Sequence, residues 1–124
     1  MNIVIDTDAL LWLLAKDKKL SSRAKIVARG ATQIFIPTIV LLELLYLLNK
    51  KRLINDFSSI LGTLKSDIKF TIVSLDIVIV EGVVDFSSKL EMHDSIVVAT
   101  AQMLKLPIVT KDRTIRKTYK ETIW

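Results

Sequence analysis

The sequence predicts an α/β fold with a mostly parallel central sheet. Short apolar runs that are rich in β-branched residues, such as Ile3-Val4-Ile5 and Ile108-Val109, alternate with longer segments of helical periodicity. This alternation is typical of strand–helix–strand units, whose strands pair in parallel. Apolar residues make up 51% of the chain, as expected for strands that are covered on both faces.

The first strand ends at an acid, and a helix is expected to follow directly. Asp6 follows Ile3-Val4-Ile5, and in such sheets ligands bind just beyond the carboxyl ends of the strands. Thr7 or Asp8 is expected to cap a helix that ends near position 15. Ser21 or Ser22 is expected to cap a second helix, which ends at Gly30.

The next unit combines a short strand with a long apolar helix. Gln33–Ile36 is a predicted strand that Pro37 ends, and Thr38 is expected to cap a helix from Ile39 to about Lys51. Apolar residues cover every face of this helix, so it is expected to be buried on all sides. A domain of this size covers only part of such a helix, and we expect the remainder to contact another chain. The residues assigned to that interface are Leu41, Leu44, Leu45 and Leu48.

The middle of the chain predicts a helix, a strand and one ambiguous segment. Leu53–Leu64 has apolar residues at spacings of three and four, and Phe70–Val73 is strand-like. Asp76 is expected to cap a helix from Ile77 to about Phe86. A strand is the alternative there, because the segment is β-branched, and Gly82 argues against a long regular element of either kind.

The last third repeats the alternation. A polar connection over residues 87–92 leads to a helix from His93, in which small residues allow close contact with the sheet. Leu106–Thr110 is a predicted strand, residues 115–119 form a helical turn, and the tail at 121–124 is expected to add an edge strand. We find no linker, repeat or low-complexity segment in the 124 residues, so we expect a single domain over residues 1–124.

Composition excludes several classes of site. The chain has no cysteine, which rules out disulfides, thiolate metal sites and cysteine nucleophiles and permits a reducing cytoplasm. His93 is the only histidine, so zinc sites with several histidines and ribonucleases with a histidine pair are excluded. A serine paired with His93 stays formally possible.

A membrane protein is not expected. The most apolar segment, Ile34–Leu48, is about 15 residues long and contains Pro37 and Glu43, whereas a spanning helix needs ~20 residues. The amino terminus has an acid at position 6 and no basic region before its apolar run, so it does not resemble a secretory signal. We expect a cytoplasmic protein.

The net charge of +5 suits a polyanionic partner such as RNA. A basic soluble protein without such a partner is the alternative. The distribution favours a partner, because the lysines and arginines are grouped while several acids stand alone in apolar surroundings. The groups are Lys16, Lys18, Lys19, Arg23, Lys25 and Arg29; Lys50, Lys51 and Arg52; and Lys111, Arg113, Arg116, Lys117 and Lys120.

Four acids share an apolar context, namely Asp6, Glu43, Asp94 and Asp112. Asp6 and Asp112 follow strands, Asp94 opens a helix, and Glu43 lies within one, so all four are compatible with one crevice. A buried carboxylate without a partner is costly, so a compensating cation is expected. Each acid also has a structural reading: Asp6 and Asp112 as helix caps, Asp94 as a first-turn acid, and Glu43 on a narrow polar face.

Clustered carboxylates are hard oxygen ligands, which suit Mg²⁺ or Mn²⁺. Two such ions about 4 Å apart can activate a water and stabilise the leaving oxygen of a phosphodiester. The basic residues would hold the polyanion that the acids alone repel.

The chain resembles PIN-domain ribonucleases, especially VapC-like toxins of type II toxin–antitoxin systems. Four segments in order carry the resemblance: Ile-Val-Ile-Asp-Thr-Asp at 3–8, Pro-Thr-Ile-Val-Leu-Leu-Glu-Leu at 37–44, His-Asp-Ser-Ile-Val-Val-Ala-Thr-Ala at 93–101 and Leu-Pro-Ile-Val-Thr-Lys-Asp-Arg at 106–113. The resemblance implies a three-layer α/β/α fold, a parallel sheet of about five strands and Asp6 on the central strand.

The resemblance also implies function. Asp6, Glu43, Asp94 and Asp112 would form the metal and catalytic site of a Mg²⁺- or Mn²⁺-dependent endoribonuclease, with Thr110 in support. A homodimer and a cognate antitoxin that covers the site would be the protein partners. Asp8 departs from the family pattern, which often has a small or neutral polar residue there. We expect it to cap the first helix, and an effect of its extra charge on metal affinity is the alternative.

Two other readings remain. Haloacid dehalogenase-like phosphatases also begin with a strand and Asp-x-Asp, but Ala9-Leu10 do not fit their motif and Glu43 would have no role. A PIN-like binding module with an inactive site is the non-enzyme reading. Metal-dependent cleavage of RNA by the purified protein separates the three.

Overall fold

A computed structural model describes residues 1–51 and 55–124. Within them the chain forms five strands and seven helices in the predicted alternation. The strands are β1 (Asn2–Ile5), β2 (Gln33–Pro37), β3 (Phe70–Val73), β4 (Ile108–Val109) and β5 (Thr122–Ile123). The helices are α1 (Thr7–Ala15), α2 (Ser22–Gly30), α3 (Thr38–Lys50), α4 (Asn55–Ser66), α5 (Ile77–Val83), α6 (Met92–Leu104) and α7 (Arg113–Thr118). The predicted start of the fourth helix at Leu53 lies outside the described residues.

The sheet has the order β3-β2-β1-β4-β5, and every pairing is parallel. The chain moves from β1 outward to β3 and then returns to add β4 on the other side of β1. This reversal creates a crevice at the carboxyl ends of β1 and β4, where α/β proteins bind ligands. The three-layer α/β/α fold and the central position of β1 confirm the prediction.

Fully buried aliphatic side chains on the strands form the centre of the core. Ile3, Val4 and Ile5 of β1 and Ile108 and Val109 of β4 have no exposed surface. A continuous apolar run is expected where helices cover both faces of a parallel sheet. Within the described part of the chain, no helix is long and apolar enough to span a membrane.

The helix ends correct several predicted caps. Asp6, rather than Thr7 or Asp8, is the N-cap of α1, since its carboxylate accepts from the Ala9 backbone N–H. Asp8 lies in the first turn instead. Thr38 does not cap α3: it is the first helical residue, and its hydroxyl accepts from the Leu75 backbone N–H.

Other caps agree with the sequence. Ser21 caps α2, Asp76 caps α5 and Asp112 caps α7, each by accepting a backbone N–H in the first turn.

The ambiguous segment after Asp76 is helical, and the strand alternative is wrong. Gly82 lies within α5, where it faces Ala99 of α6 at a distance that leaves room for little more than a Cβ. The small residue that argued against a regular element therefore allows two helices to pack closely. The helix ends at Val83, earlier than the predicted Phe86.

Three of the four leucines assigned to an interface on α3 are buried within the chain itself, and the fourth, Leu45, is half-buried. Leu41, Leu44 and Leu48 lie in the core of the same chain, because α3 packs against α1, α4, α6 and β2. The exposed apolar side chains of α3 are Leu42 and Tyr46. A broader exposed apolar face lies on and beside α5, formed by Leu75, Ile77, Val78, Val80 and Val84.

The burial of α3 predicts unequal effects for two leucines two positions apart. Leu44→Ala should lower the free energy of unfolding by about 2–5 kcal/mol, because it leaves a cavity in the core. Leu42→Ala, at a site that is 53% exposed, should change it by less than about 0.5 kcal/mol. Urea denaturation measures both, and equal losses would show that α3 does not pack in this orientation.

Candidate functional site

The carboxyl ends of β1 and β4 bring two predicted site residues together. Asp6 follows β1 directly, and its backbone N–H donates to the Val109 carbonyl of β4 at 3.3 Å. The next residue, Thr110, is wholly buried, and its hydroxyl donates to Asp6 Oδ2. The Thr110 hydroxyl also accepts from the backbone N–H of Asp112 at 3.0 Å. Thr110 therefore links the two acids by hydrogen bonds.

Asp6 and Asp112, two of the predicted site acids, are also the N-caps of α1 and α7. Asp6 Oδ1 accepts from Ala9 N at 3.1 Å, and Asp112 Oδ1 accepts from Ile115 N at 2.8 Å. The two readings of these acids are compatible, because a cap occupies one carboxylate oxygen and leaves the other facing the crevice or Thr110.

Glu43 has partners that the sequence interpretation did not assign. The Thr7 hydroxyl donates to Glu43 Oε1 at 2.9 Å, and His93 Nε2 lies 3.3 Å from Glu43 Oε2. His93 Nε2 also lies 3.3 Å from Glu91 Oε2. When protonated, His93 supplies the compensating cation that the apolar flanks of Glu43 called for. The sequence offered one signal for this role of His93, since the only histidine of the chain lies directly beside Asp94.

A groove of about 780 Å³ contains all four predicted acids. Cations line it too, contributed by Lys50 from α3 and by Lys111 and Arg113 around Asp112. The Lys111 ammonium lies 5.7 Å from the centre of the Trp12 ring, within range of a cation–π contact. A groove lined by both acids and cations can hold a metal ion through its carboxylates and the phosphates of a polyanion through its cations.

The tightest group of ligand atoms differs from the predicted set. Among the described residues, the group of three or more with ligand atoms all within 4.8 Å of one another is Glu91, His93 and Asp94. Asp94 is thus common to this group and to the predicted four.

Burial and mutual repulsion raise the pKa of Asp6 and Asp94, two of the four predicted acids. The pKa of Asp6 is raised from 3.8 to about 7, mainly by burial and further by the charges of Asp8 and Asp112, although Thr110 and the Ala9 N–H oppose the shift. The pKa of Asp94 is raised from 3.8 to about 6 by burial and by the charge of Asp112, while His93 opposes the shift. Both shifts show that the charged cluster is unfavourable without a cation.

The donor set fits a hard divalent cation. Carboxylate oxygens from Asp6, Glu43, Asp94 and Asp112 line one groove, and oxygen ligands are those that Mg²⁺ and Mn²⁺ prefer. A bound cation would also remove the repulsion that raises the pKa of Asp6 and Asp94.

The pKa of Asp6 predicts a pH dependence of stability in the absence of metal. Because the folded pKa lies above the unfolded value, the native state binds more protons between about pH 4 and pH 7, and stability falls as the pH rises through this window. A single such group contributes a slope of at most about 1.4 kcal/mol per pH unit. Asp6→Asn removes this contribution and keeps a good N-cap residue.

Urea denaturation in EDTA at several pH values between 5 and 8 tests this prediction. The stability advantage of Asp6→Asn over wild type should grow as the pH rises, whereas Asp85→Asn, at an exposed site outside the groove, should follow wild type. Parallel curves for wild type and Asp6→Asn would contradict the burial of a charged Asp6.

Comparisons with known proteins identify the family and the fold. The PIN-domain family model matches residues 3–121. A toxin–antitoxin complex from Klebsiella pneumoniae is similar in structure, with a TM-score of 0.74 and 22% identity over 98% of this chain and 96% of that one. No curated protein matches the sequence.

Two further solved structures share the fold. Mycobacterium tuberculosis VapC20, described as a sarcin–ricin loop cleaving toxin, has a TM-score of 0.75 and 15% identity over 94% of this chain and 95% of that one. FitAcB from Neisseria gonorrhoeae has a TM-score of 0.72 and 15% identity over 97% and 94%.

Proposed function

We propose, since the chain belongs to the PIN-domain family, that it is a Mg²⁺- or Mn²⁺-dependent endoribonuclease and the VapC-like toxin of a type II toxin–antitoxin pair. The observation that carries the proposal is the groove that Asp6, Glu43, Asp94 and Asp112 line together with basic residues. The similarity of the fold to a sarcin–ricin loop cleaving toxin and to toxin–antitoxin complexes supports it. The proposed place of action is the cytoplasm.

The four acids would hold the divalent cation. Thr110 fixes Asp6 through its hydroxyl, and Thr7 fixes Glu43 at Oε1, so these two carboxylates are oriented before any cation binds. When bound, the cation supplies Lewis-acid activation for hydrolysis of a phosphodiester.

The cationic side chains have a separate role at the RNA backbone. Lys50, Lys111 and Arg113 line the same groove, where they can pair with phosphates on either side of the bond to be cut. The contact of Lys111 with Trp12 restricts where its ammonium can lie.

Cleavage by the purified protein tests the proposed activity. Wild type should cut RNA in Mg²⁺ or Mn²⁺, leave 5′-phosphate and 3′-hydroxyl ends, and lose activity in EDTA. Asp94→Asn should reduce cleavage by at least about 100-fold, since it removes a charged ligand of the cation. Gel analysis of end-labelled RNA measures both, and equal cleavage in EDTA or full activity of Asp94→Asn would refute the proposal.

Thermal melts show whether Asp94→Asn is folded. In EDTA the variant should be no less stable than wild type, and more stable by roughly 1 kcal/mol at most, because one repelling charge is gone from a half-exposed site where solvent screens it. Mg²⁺ should stabilise wild type more than the variant. Metal binding without any cleavage would instead indicate a PIN-like binding module.

We also propose that the protein forms a homodimer and binds a cognate antitoxin. The exposed apolar face of α5 supports a protein interface, since Ile77 is 67% and Val84 73% exposed and the two lie two helical turns apart.

Light scattering tests the dimer. Wild type should have the mass of two chains, and the double variant Ile77→Lys/Val84→Lys should have the mass of one, because two charges on the face oppose its burial. Ile26→Lys, at an exposed site on α2, should remain dimeric. A monomeric wild type at high concentration, or a dimeric double variant, would exclude this interface.

A further inference from the structure

We propose that Tyr46 stacks on an unpaired base of the RNA next to the cleaved bond, so that the groove selects a single-stranded segment. This inference rests on the proposed ribonuclease function and assigns a recognition residue within the same groove. Tyr46 lines the groove and is 66% exposed, although most of its neighbours in α3 are apolar. An exposed aromatic ring beside an acidic centre is a stacking surface for a base.

The position of Tyr46 along α3 places it about one helical turn from Glu43. Glu43, Tyr46 and Lys50 follow one another at spacings of three and four residues, so they lie on one face of the helix. The rise from Glu43 to Lys50 is about 10 Å. The face therefore presents, in order, a carboxylate of the acidic centre, an aromatic ring and a cation, and all three line the groove.

The cations of the groove come from two separate segments of the chain. Lys50 lies at the end of α3, whereas Lys111 and Arg113 lie on either side of Asp112, after β4. A nucleotide chain whose phosphates pair with both groups passes the acids of the same groove. A base of that chain beside α3 meets the exposed ring of Tyr46.

Substitutions of the Tyr46 ring can show whether RNA or an apolar protein segment occupies the groove. A peptide that covers the groove would gain similar contact from leucine as from tyrosine, because burial of apolar area is not directional. A base needs the flat π face, which phenylalanine retains and leucine lacks. Variants at this position can therefore identify the occupant.

Cleavage kinetics on a single-stranded RNA provide the first test. Tyr46→Leu should lower kcat/KM about 5- to 100-fold, mainly through KM, whereas Tyr46→Phe should stay within about two-fold of wild type. The control is Ile68→Ala, at a site that is 90% exposed and outside the groove, and it should be unchanged. A Tyr46→Leu variant that cuts as well as wild type, or a Tyr46→Phe variant as defective as Tyr46→Leu, would overturn the inference.

A series of substrates with one abasic nucleotide provides the second test. In wild type, one abasic position beside the cut should reduce kcat/KM as much as Tyr46→Leu does, and the same position should have no further effect in the Tyr46→Leu variant. Equal abasic effects in the two proteins would show that Tyr46 does not contact that base.

A binding measurement keeps the inference separate from the proposed activity. The probe is single-stranded RNA with 2-aminopurine at the position beside the cut. Its fluorescence should fall when it binds Asp94→Asn in Mg²⁺ and should not fall when it binds Asp94→Asn/Tyr46→Leu. Absence of cleavage by wild type with this quenching intact would refute only the ribonuclease function. If wild type cleaves RNA and the two variants quench equally, only the role of Tyr46 is refuted. If Tyr46→Leu binds RNA as wild type does but no longer binds a co-expressed protein partner, the ring belongs to a protein interface instead.

Discussion

The hydrogen bonds of the buried Thr110 hydroxyl hold the site together. This one side chain donates to Asp6 and accepts from the backbone of Asp112, so it ties the ends of β1 and β4 across the crevice. The tie depends on the parallel register of Ile5 with Val109, which places the next residue of each strand side by side. A shift of that register by one residue would turn one of the two partners away from the crevice.

The acids of the site also stabilise the fold that presents them. Asp6 begins α1 and Asp112 begins α7, and each cap stabilises a helix terminus by about 1 kcal/mol. The same carboxylates are destabilising as a group, because burial and mutual repulsion raise the pKa of Asp6 and Asp94. A bound cation would resolve this conflict, since it satisfies the charges without removing the caps.

Sequence patterns predicted the elements of this fold better than their contacts. The alternation of apolar runs with helical segments was sufficient for the parallel sheet, because hydrophobic periodicity is a local property. For the cap of α1 the sequence offered Thr7 and Asp8 and, as a structural reading, Asp6, and local propensity does not choose among these neighbours. The predicted cap of α3, Thr38, was wrong by one residue. The burial of Leu41, Leu44 and Leu48 depends on three other helices, so it required the tertiary structure.

Part of the site was predictable from the sequence, because it follows from the predicted topology. Carboxylates after strand ends share one edge of a parallel sheet, so Asp6 and Asp112 follow from topology. The contacts of Glu43 with Thr7 and His93 join residues that are 36 and 50 positions apart, and no local pattern predicts their pairing. The sequence pattern assigned no role to Tyr46, because its exposure depends on the tertiary packing of α3.

In the proposed site Asp6, Glu43, Asp94 and Asp112 hold the divalent metal, although Glu91, His93 and Asp94 are the more compact group of possible ligands. Binding of Mn²⁺, followed by electron paramagnetic resonance with single amide variants, tests it most directly. The account predicts that Asp6→Asn and Asp112→Asn each weaken Mn²⁺ binding by about 10-fold or more, and that Glu91→Gln leaves it within about two-fold of wild type. Loss of binding in Glu91→Gln with full binding in Asp6→Asn and Asp112→Asn would contradict the account and place the cation at the start of α6.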